Sequence, residues 1–120
     1  MAESVASYAK HYRQRLIQEA ARRDARIGRA RAEIAQIVSD FRRIDPDITS
    51  ITLFGSLATD RVRSERFDID LAVDCAPERY LALVSRALDS VFDVDLVELR
   101  SAPEWLRDVI ARDGKTLHER

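Results

Sequence analysis

The chain of 120 residues carries 20 Lys and Arg against 21 Asp and Glu, and 46% of its residues are hydrophobic. This composition indicates one soluble globular domain with a substantial core. No apolar run approaches the roughly 20 residues that span a bilayer, and the N-terminus lacks the apolar core of a signal peptide. We therefore expect a cytoplasmic protein without a membrane segment. The single cysteine, Cys75, cannot form an internal disulfide, which agrees with a reducing compartment.

The first 43 residues are predicted to form a basic helical arm that packs on an acidic body, residues 44–120, within one structural domain. Ten Lys and Arg stand against five Asp and Glu in the arm, and ten against sixteen in the body. Apolar residues recur at helical spacing in two groups, which indicates two helical pieces, either separate or continuous through Gly28. The first group is Tyr8, Tyr12, Leu16 and Ala20, and the second is Ile27, Ala30, Ile34, Ile37, Val38 and Phe41. We expect the second piece to pack on the body.

The arginines of the arm allow two interpretations. Runs of charged residues are usually a solvated helix face. The alternative is an electrostatic surface for nucleic acid or an acidic partner. The thin stripe that contains Tyr8 and Tyr12 favours contact with another chain, and a homo-oligomer formed through this helix is one such contact.

The body begins after Asp45-Pro46-Asp47 with an apolar run, Ile51 to Phe54, that predicts a buried strand. The run stops at Gly55, which lets a ligand approach the backbone closely. We expect the next residue, Ser56, to cap a short helix whose free N–H groups would seat a phosphate.

A second predicted strand, residues 67–73, carries Asp68 and Asp70 on one face because side chains alternate along a strand. Aspartate is depleted in strands, and two like charges on one face repel each other. A divalent cation would cancel this repulsion. The pair therefore indicates a metal site rather than a structural strand.

A helix is predicted from Pro77 to about Ser90, and a third strand over residues 92–99. This strand also places two carboxylates, Asp93 and Asp95, on one face.

The end of the chain predicts one more helix and an edge strand. Residues 101–104, Ser-Ala-Pro-Glu, have the form of a capping box and would open a helix that buries Trp105. Gly114 would close this helix in the left-handed conformation, and residues 115–118 would add the strand.

These elements resemble the polymerase beta-like nucleotidyltransferase superfamily, and in particular its minimal nucleotidyltransferases, the MNT proteins of HEPN/MNT toxin–antitoxin pairs. The motif is Gly55-Ser56, eleven residues, and then Asp68-Ile69-Asp70, with Asp95 as the third carboxylate. The resemblance implies an α+β nucleotidyltransferase fold with a small mixed sheet packed by helices, to which the long N-terminal helical arm is added. The nucleotidyltransferase domain is then residues 44–120.

The resemblance also implies an activity, the transfer of AMP from ATP to a hydroxyl group of a partner protein. Asp68 and Asp70 would bind both Mg²⁺ ions of a two-ion site, and Asp95 would complete the acceptor-side ion. Gly55 and Ser56 would hold the nucleotide phosphates. In an antitoxin, the partner would be a HEPN-type toxin and the acceptor one of its tyrosines.

The sequence departs from the family motif at three positions. Thr59 and Asp60 stand where a basic residue and a glycine are usual, and Phe67 where a Ser or Asp often precedes the pair. An acidic group near the triphosphate would weaken nucleotide binding unless nearby arginines compensate. Those arginines are Arg61, Arg63 and Arg66. The alternatives to catalysis are a module that masks a partner through the arm and the acidic face, and a nucleic-acid adaptor.

Overall fold

The computed structural model describes residues 4–120, so the first three residues of the predicted arm lie outside the described part. The helices and strands are α1 (Val5–Ile44), β1 (Ser50–Phe54), β2 (Ile69–Asp74), α2 (Tyr80–Leu88), β3 (Val94–Glu98), α3 (Glu104–Asp113) and β4 (Lys115–Glu119). The strands form one sheet in the order β3-β2-β1-β4. β1 is antiparallel to β2 and β4, whereas β2 and β3 are parallel. The predicted α+β fold with a small mixed sheet is confirmed.

α1 is one continuous helix of 40 residues rather than two pieces. Ser4 caps its start, because the Ser4 hydroxyl accepts a hydrogen bond from the Ser7 N–H at 3.1 Å. At 1.5 Å per residue the helix is about 60 Å long, and it accounts for the longest dimension of the molecule, 67 Å. No helix between residues 4 and 120 has both the length and the apolar composition needed to cross a membrane.

The C-terminal half of α1 packs against the sheet and forms one side of the core. Its fully buried residues are Ala30, Ile34, Ile37 and Phe41, and the sheet contributes Ile51, Leu53, Ile69, Leu71 and Val73. The alternating burial in β1 leaves Ile51 and Leu53 inside, as the apolar pattern of that strand predicts. Packing against this half of the helix fixes the position of α1 relative to β2.

Polar contacts hold α2 between α1 and β3. The Arg86 guanidinium, which is largely buried, donates to Asp40 at 2.6 Å and to Glu33 at 3.3 Å. On the other side of α2, the Tyr80 hydroxyl donates to the Leu96 carbonyl at 2.7 Å. These contacts tie the strand that carries Asp95 to the long helix.

The capping box predicted at the start of α3 is wrong. The Ser101 hydroxyl donates to the Glu98 carboxylate at 2.5 Å, and no side chain caps α3, which begins after Pro103. Residues 99–101 form a 3₁₀ turn that continues from β3, and this turn carries Ser101 away from the start of the helix.

Two predictions for the residues of α3 and its end are also wrong. Trp105 is 67% exposed, because α3 buries only Ile110, near its C-terminal end, and Trp105 lies in the first turn. Gly114 has φ −73° and not the left-handed conformation. Glycine is nevertheless required there, because a Cβ atom would overlap the Ile110 carbonyl oxygen and the Thr52 side chain.

We expect Gly28→Ala to raise the free energy of unfolding by about 0.5–1 kcal/mol, because alanine is the better helix former and an added Cβ meets nothing within 4 Å. Urea unfolding followed by circular dichroism measures the change. Gly114→Ala is the matched comparison and should lower stability by about 1–3 kcal/mol through overpacking. A destabilised Gly28→Ala protein would contradict the continuous α1 helix.

Candidate active site

Asp70 and Asp95 lie directly opposite each other in the parallel pairing of β2 with β3. Directly opposite residues of neighbouring strands project to the same face of a sheet, so their carboxylates meet on one surface. One residue earlier, the Ile69 N–H donates to the Asp93 carbonyl at 2.9 Å, which brings Asp68 alongside Asp93. The structure thus gathers the predicted carboxylates at one end of the strand pair.

The pKa of Asp70 is raised to about 6. Burial is the largest cause, followed by the negative charges of Asp95 and Asp68 and by a hydrogen bond with the Asp95 side chain. The three predicted carboxylates therefore act on one another, with Asp70 at the centre. Asp68 and Asp95 are more exposed than Asp70.

Gly55 lies directly against Asp70. Its φ is +78°, and a Cβ atom on this residue would overlap the Asp70 carboxylate oxygen Oδ2. Only glycine satisfies both the positive φ and this close approach. The Gly55-Ser56 turn therefore borders the carboxylate site, next to the end of β1.

The short helix predicted to start at Ser56 is not formed. Residues 56–60 make a single turn, in which the N–H groups of Ala58 and Thr59 donate to the Gly55 carbonyl at 3.1 and 3.3 Å. Asp60 follows in a left-handed conformation, with φ +55°, and ends the turn. The turn is too short to act as a helix N-terminus, so any phosphate contact here has to come from the turn itself.

Thr59 and Asp60, two of the departures from the family motif, both make contacts within the protein. The Thr59 hydroxyl donates to the Gly55 carbonyl at 3.2 Å and so closes the turn. The exposed Asp60 carboxylate pairs with Arg31 of α1 at 3.5 Å. Arg31 is not among the compensating arginines that the sequence indicates, which all lie in the connection after the turn. No local pattern identifies it, because it lies far from Asp60 in the chain, in a different element.

A cleft of about 580 Å³ lies beside the carboxylates, on the β3 side. Its lining residues are Arg26, Glu65, Arg66, Phe67, Asp68 and Asp93. The Arg26 guanidinium lies over the rings of Phe92 and Phe67, at 4.6 and 5.6 Å from their centroids. The third departure, Phe67, is therefore a packing residue that joins α1 to the start of β2.

The donor set of this site fits Mg²⁺. No group of three His, Cys, Asp or Glu side chains within residues 4–120 forms a ready-made metal cage. Mg²⁺ does not need one, because it is usually held by one or two carboxylates and completes its shell with phosphate and water oxygens. Asp70 and Asp95 supply adjacent carboxylates whose mutual repulsion a divalent cation would relieve.

The family model described as Polymerase beta, Nucleotidyltransferase matches residues 33–120. The chain belongs to the polymerase beta nucleotidyltransferase family. This match confirms the resemblance found in the sequence and shows that the enzymatic unit is a nucleotidyltransferase domain. The matched region begins inside α1, so residues 5–32 of that helix precede it. No curated protein matches the chain.

Solved structures support the same assignment. A crystal structure of a toxin–antitoxin with AMP-PNP has 33% sequence identity and a TM-score of 0.54, over 71% of this chain and 73% of that chain. A mutant form of the toxin–antitoxin MntA-HpeT has 31% identity and a TM-score of 0.54, over 69% and 70%. A putative nucleotidyltransferase from Sulfolobus solfataricus has 19% identity and a TM-score of 0.58, over 82% and 88%, and shares the fold. The predicted relation to nucleotidyltransferases of toxin–antitoxin pairs is thereby confirmed.

We expect Asp70→Asn to stabilise the protein near pH 7.5 and to have little effect near pH 4. The pKa of Asp70 is about 6 in the folded protein against an ordinary 3.8, so the folded state binds more protons between these values. Stability contributed by this group is therefore lost as the pH rises from about 4 through about 6, and asparagine removes that loss.

Urea unfolding of both proteins at the two pH values, without divalent cations, measures the difference. Asp108→Asn, at an exposed position of α3, is the control and should change stability little at either pH. Equal stabilities of the wild-type and Asp70→Asn proteins near pH 7.5 would contradict the raised pKa.

Proposed function

We propose that this chain is a Mg²⁺-dependent nucleotidyltransferase that transfers AMP from ATP to a hydroxyl group of a partner protein. The observation that carries the proposal is the contact between the Asp70 and Asp95 carboxylates, beside the Gly55 turn. Two adjacent carboxylates that repel each other lower the stability of a fold unless a bound ligand offsets the repulsion. In nucleotidyl transfer, such carboxylates bind Mg²⁺ and with it the triphosphate.

The chemistry is an in-line displacement at the α-phosphorus of ATP. The acceptor oxygen forms a bond to the α-phosphorus. At the same time the bond from this phosphorus to the oxygen that bridges it to the β-phosphate breaks, and pyrophosphate leaves. Mg²⁺, when bound, would supply charge stabilisation for the attacking and leaving oxygens. Asp68 and Asp70 would hold the metal and the nucleotide, and Asp95 would take the proton of the acceptor hydroxyl. The Gly55-Ser56 turn supports the phosphates.

The order of the strands separates the two reactants. Gly55 directly follows β1, on one side of β2, whereas Asp93 precedes β3 and Asp95 lies near its start, on the other side. In this proposal the phosphates would lie towards β1, and the acceptor would approach from the cleft that Arg26, Asp68 and Asp93 line. Asp95, on the β3 side of Asp70, would then be the carboxylate placed to take the proton of the acceptor.

The acceptor in this proposal belongs to a HEPN-type toxin, with this chain as its antitoxin. The cleft beside the carboxylates is open, so a hydroxyl group on a partner chain could reach it. The similarity to toxin–antitoxin structures, one of them with AMP-PNP, supports both the class of partner and the nucleotide.

We expect the wild-type chain with Mg²⁺ and ATP labelled at the α-phosphate to label the protein encoded by the adjacent gene. Asp70→Asn should lower the rate about 100-fold or more, which is a barrier increase of about 2.7 kcal/mol or more. The control Asp108→Asn should label at the wild-type rate. Autoradiography of the purified pair measures the transfer.

The same variants separate catalysis from its alternatives in cells that express the neighbouring toxin. If the chain is an enzyme, Asp70→Asn fails to protect the cells although the variant is folded and abundant. Full protection by Asp70→Asn, with no label transferred by the wild-type chain, would show instead that the chain masks its partner. Oligonucleotide binding that weakens steeply with salt would indicate the nucleic-acid adaptor.

A further inference from the structure

The start of α1 carries an exposed apolar surface that precedes the region matched by the family. Its residues, which we call the N-terminal stripe, are Val5, Tyr8, Tyr12 and Leu16. They are spaced by three or four positions and so lie on one face of the helix. Their exposed fractions are 86, 63, 47 and 46%. An apolar stripe on an exposed helix face favours burial against a partner.

The charge of this segment argues against pairing with itself. Residues 5–17 contain three basic residues, Lys10, Arg13 and Arg15, and the nearest acidic residues are Glu3 and Glu19 on either side of them. Two such segments side by side would place like charges around both stripes, which is unfavourable. The surface that covers the stripe should therefore be apolar with acidic residues around it.

The body of the chain has such a surface on α2 and the turn that follows it. Leu81 and Leu88 are seven positions apart, on one side of the helix, and Val91 follows the helix end. These three residues, which we call the α2 patch, are 78, 76 and 88% exposed. The exposed charged residues from 78 to 93 are three acids, Glu78, Asp89 and Asp93, and one base, Arg79. The other basic residue of this segment, Arg86, is bound to two acidic residues of α1.

The stripe cannot reach the α2 patch of its own chain. α2 is bound to α1 near residues 33–40, and α1 is continuous from Val5 to Ile44. Leu16 is the end of the stripe nearest to that region, and it still lies about 25 Å before Glu33 along the helix axis. Both surfaces are therefore open to a second molecule.

We propose that two copies of this chain form a two-fold dimer in which the N-terminal stripe of each copy packs on the α2 patch of the other. A reciprocal exchange covers both surfaces of both copies, and it closes the assembly at two chains. Basic residues around each stripe meet acidic residues around each patch. Asp68, Asp70 and Asp95 belong to neither surface, although Asp93, beside the α2 patch, also lines the cleft.

Sedimentation equilibrium of the full chain, from about 1 to about 200 µM, tests the proposal. We expect the wild-type chain to reach twice its mass of 13.7 kDa and to dissociate more readily at high salt. The stripe variant Tyr12→Glu/Leu16→Glu and the patch variant Leu81→Glu/Leu88→Glu should each be folded monomers. Trp105→Glu changes an exposed apolar residue outside both surfaces and should dimerise like the wild-type chain.

Mixing the two double variants distinguishes this arrangement from others. A mixed pair retains one intact stripe facing one intact patch, so a heterodimer should form although neither variant dimerises alone. A patch variant that dimerises like the wild-type chain would show stripe-on-stripe pairing and overturn the proposal. A wild-type chain that is monomeric at about 200 µM, or that grows into larger assemblies, would overturn it as well.

Discussion

The repulsion between Asp70 and Asp95 is the constraint that explains most of what is unusual in this small domain. Their strands are paired in register, so the carboxylates cannot separate without breaking the sheet, and burial together with this repulsion raises the pKa of Asp70 to about 6. Gly55 then has to be glycine, because Asp70 occupies the space of its side chain. In the proposed reaction, Mg²⁺ bound between these carboxylates would replace their repulsion by attraction.

α1 connects this site to the rest of the molecule through three kinds of contact. Its C-terminal half contributes apolar residues to the core, its middle places Arg26 over the ring of Phe92, and Arg31 balances the charge of Asp60. A further pair, Arg22 with Glu65 at 3.1 Å, joins the helix to the connection before β2. The basic arm thus forms ion pairs with acidic residues of the connection between β1 and β2. The first turns of α1 make none of these contacts and are available to bind another molecule.

The sequence was sufficient to predict the elements whose signal is local. Asp68 and Asp70 interrupt an apolar strand, and Asp95 does the same in the next one, so the three carboxylates and the mixed sheet could be predicted from alternation and from the family motif. Contacts between residues that are far apart in the sequence could not be predicted in this way. Trp105 is exposed because α3 rests on the sheet only near its other end, and Arg31 reaches Asp60 through the packing of α1. The helix predicted to start at Ser56 is not formed, because Asp60 ends the turn.

The most direct test of the central claim is the pKa of Asp70, measured from its carboxyl carbon by NMR with and without Mg²⁺ and AMP-PNP. Our account predicts a value of about 6 in the free protein, and one below the ordinary 3.8 when the metal and the nucleotide are bound together. An ordinary pKa in the free protein, or one that stays near 6 with both ligands in excess, would contradict it.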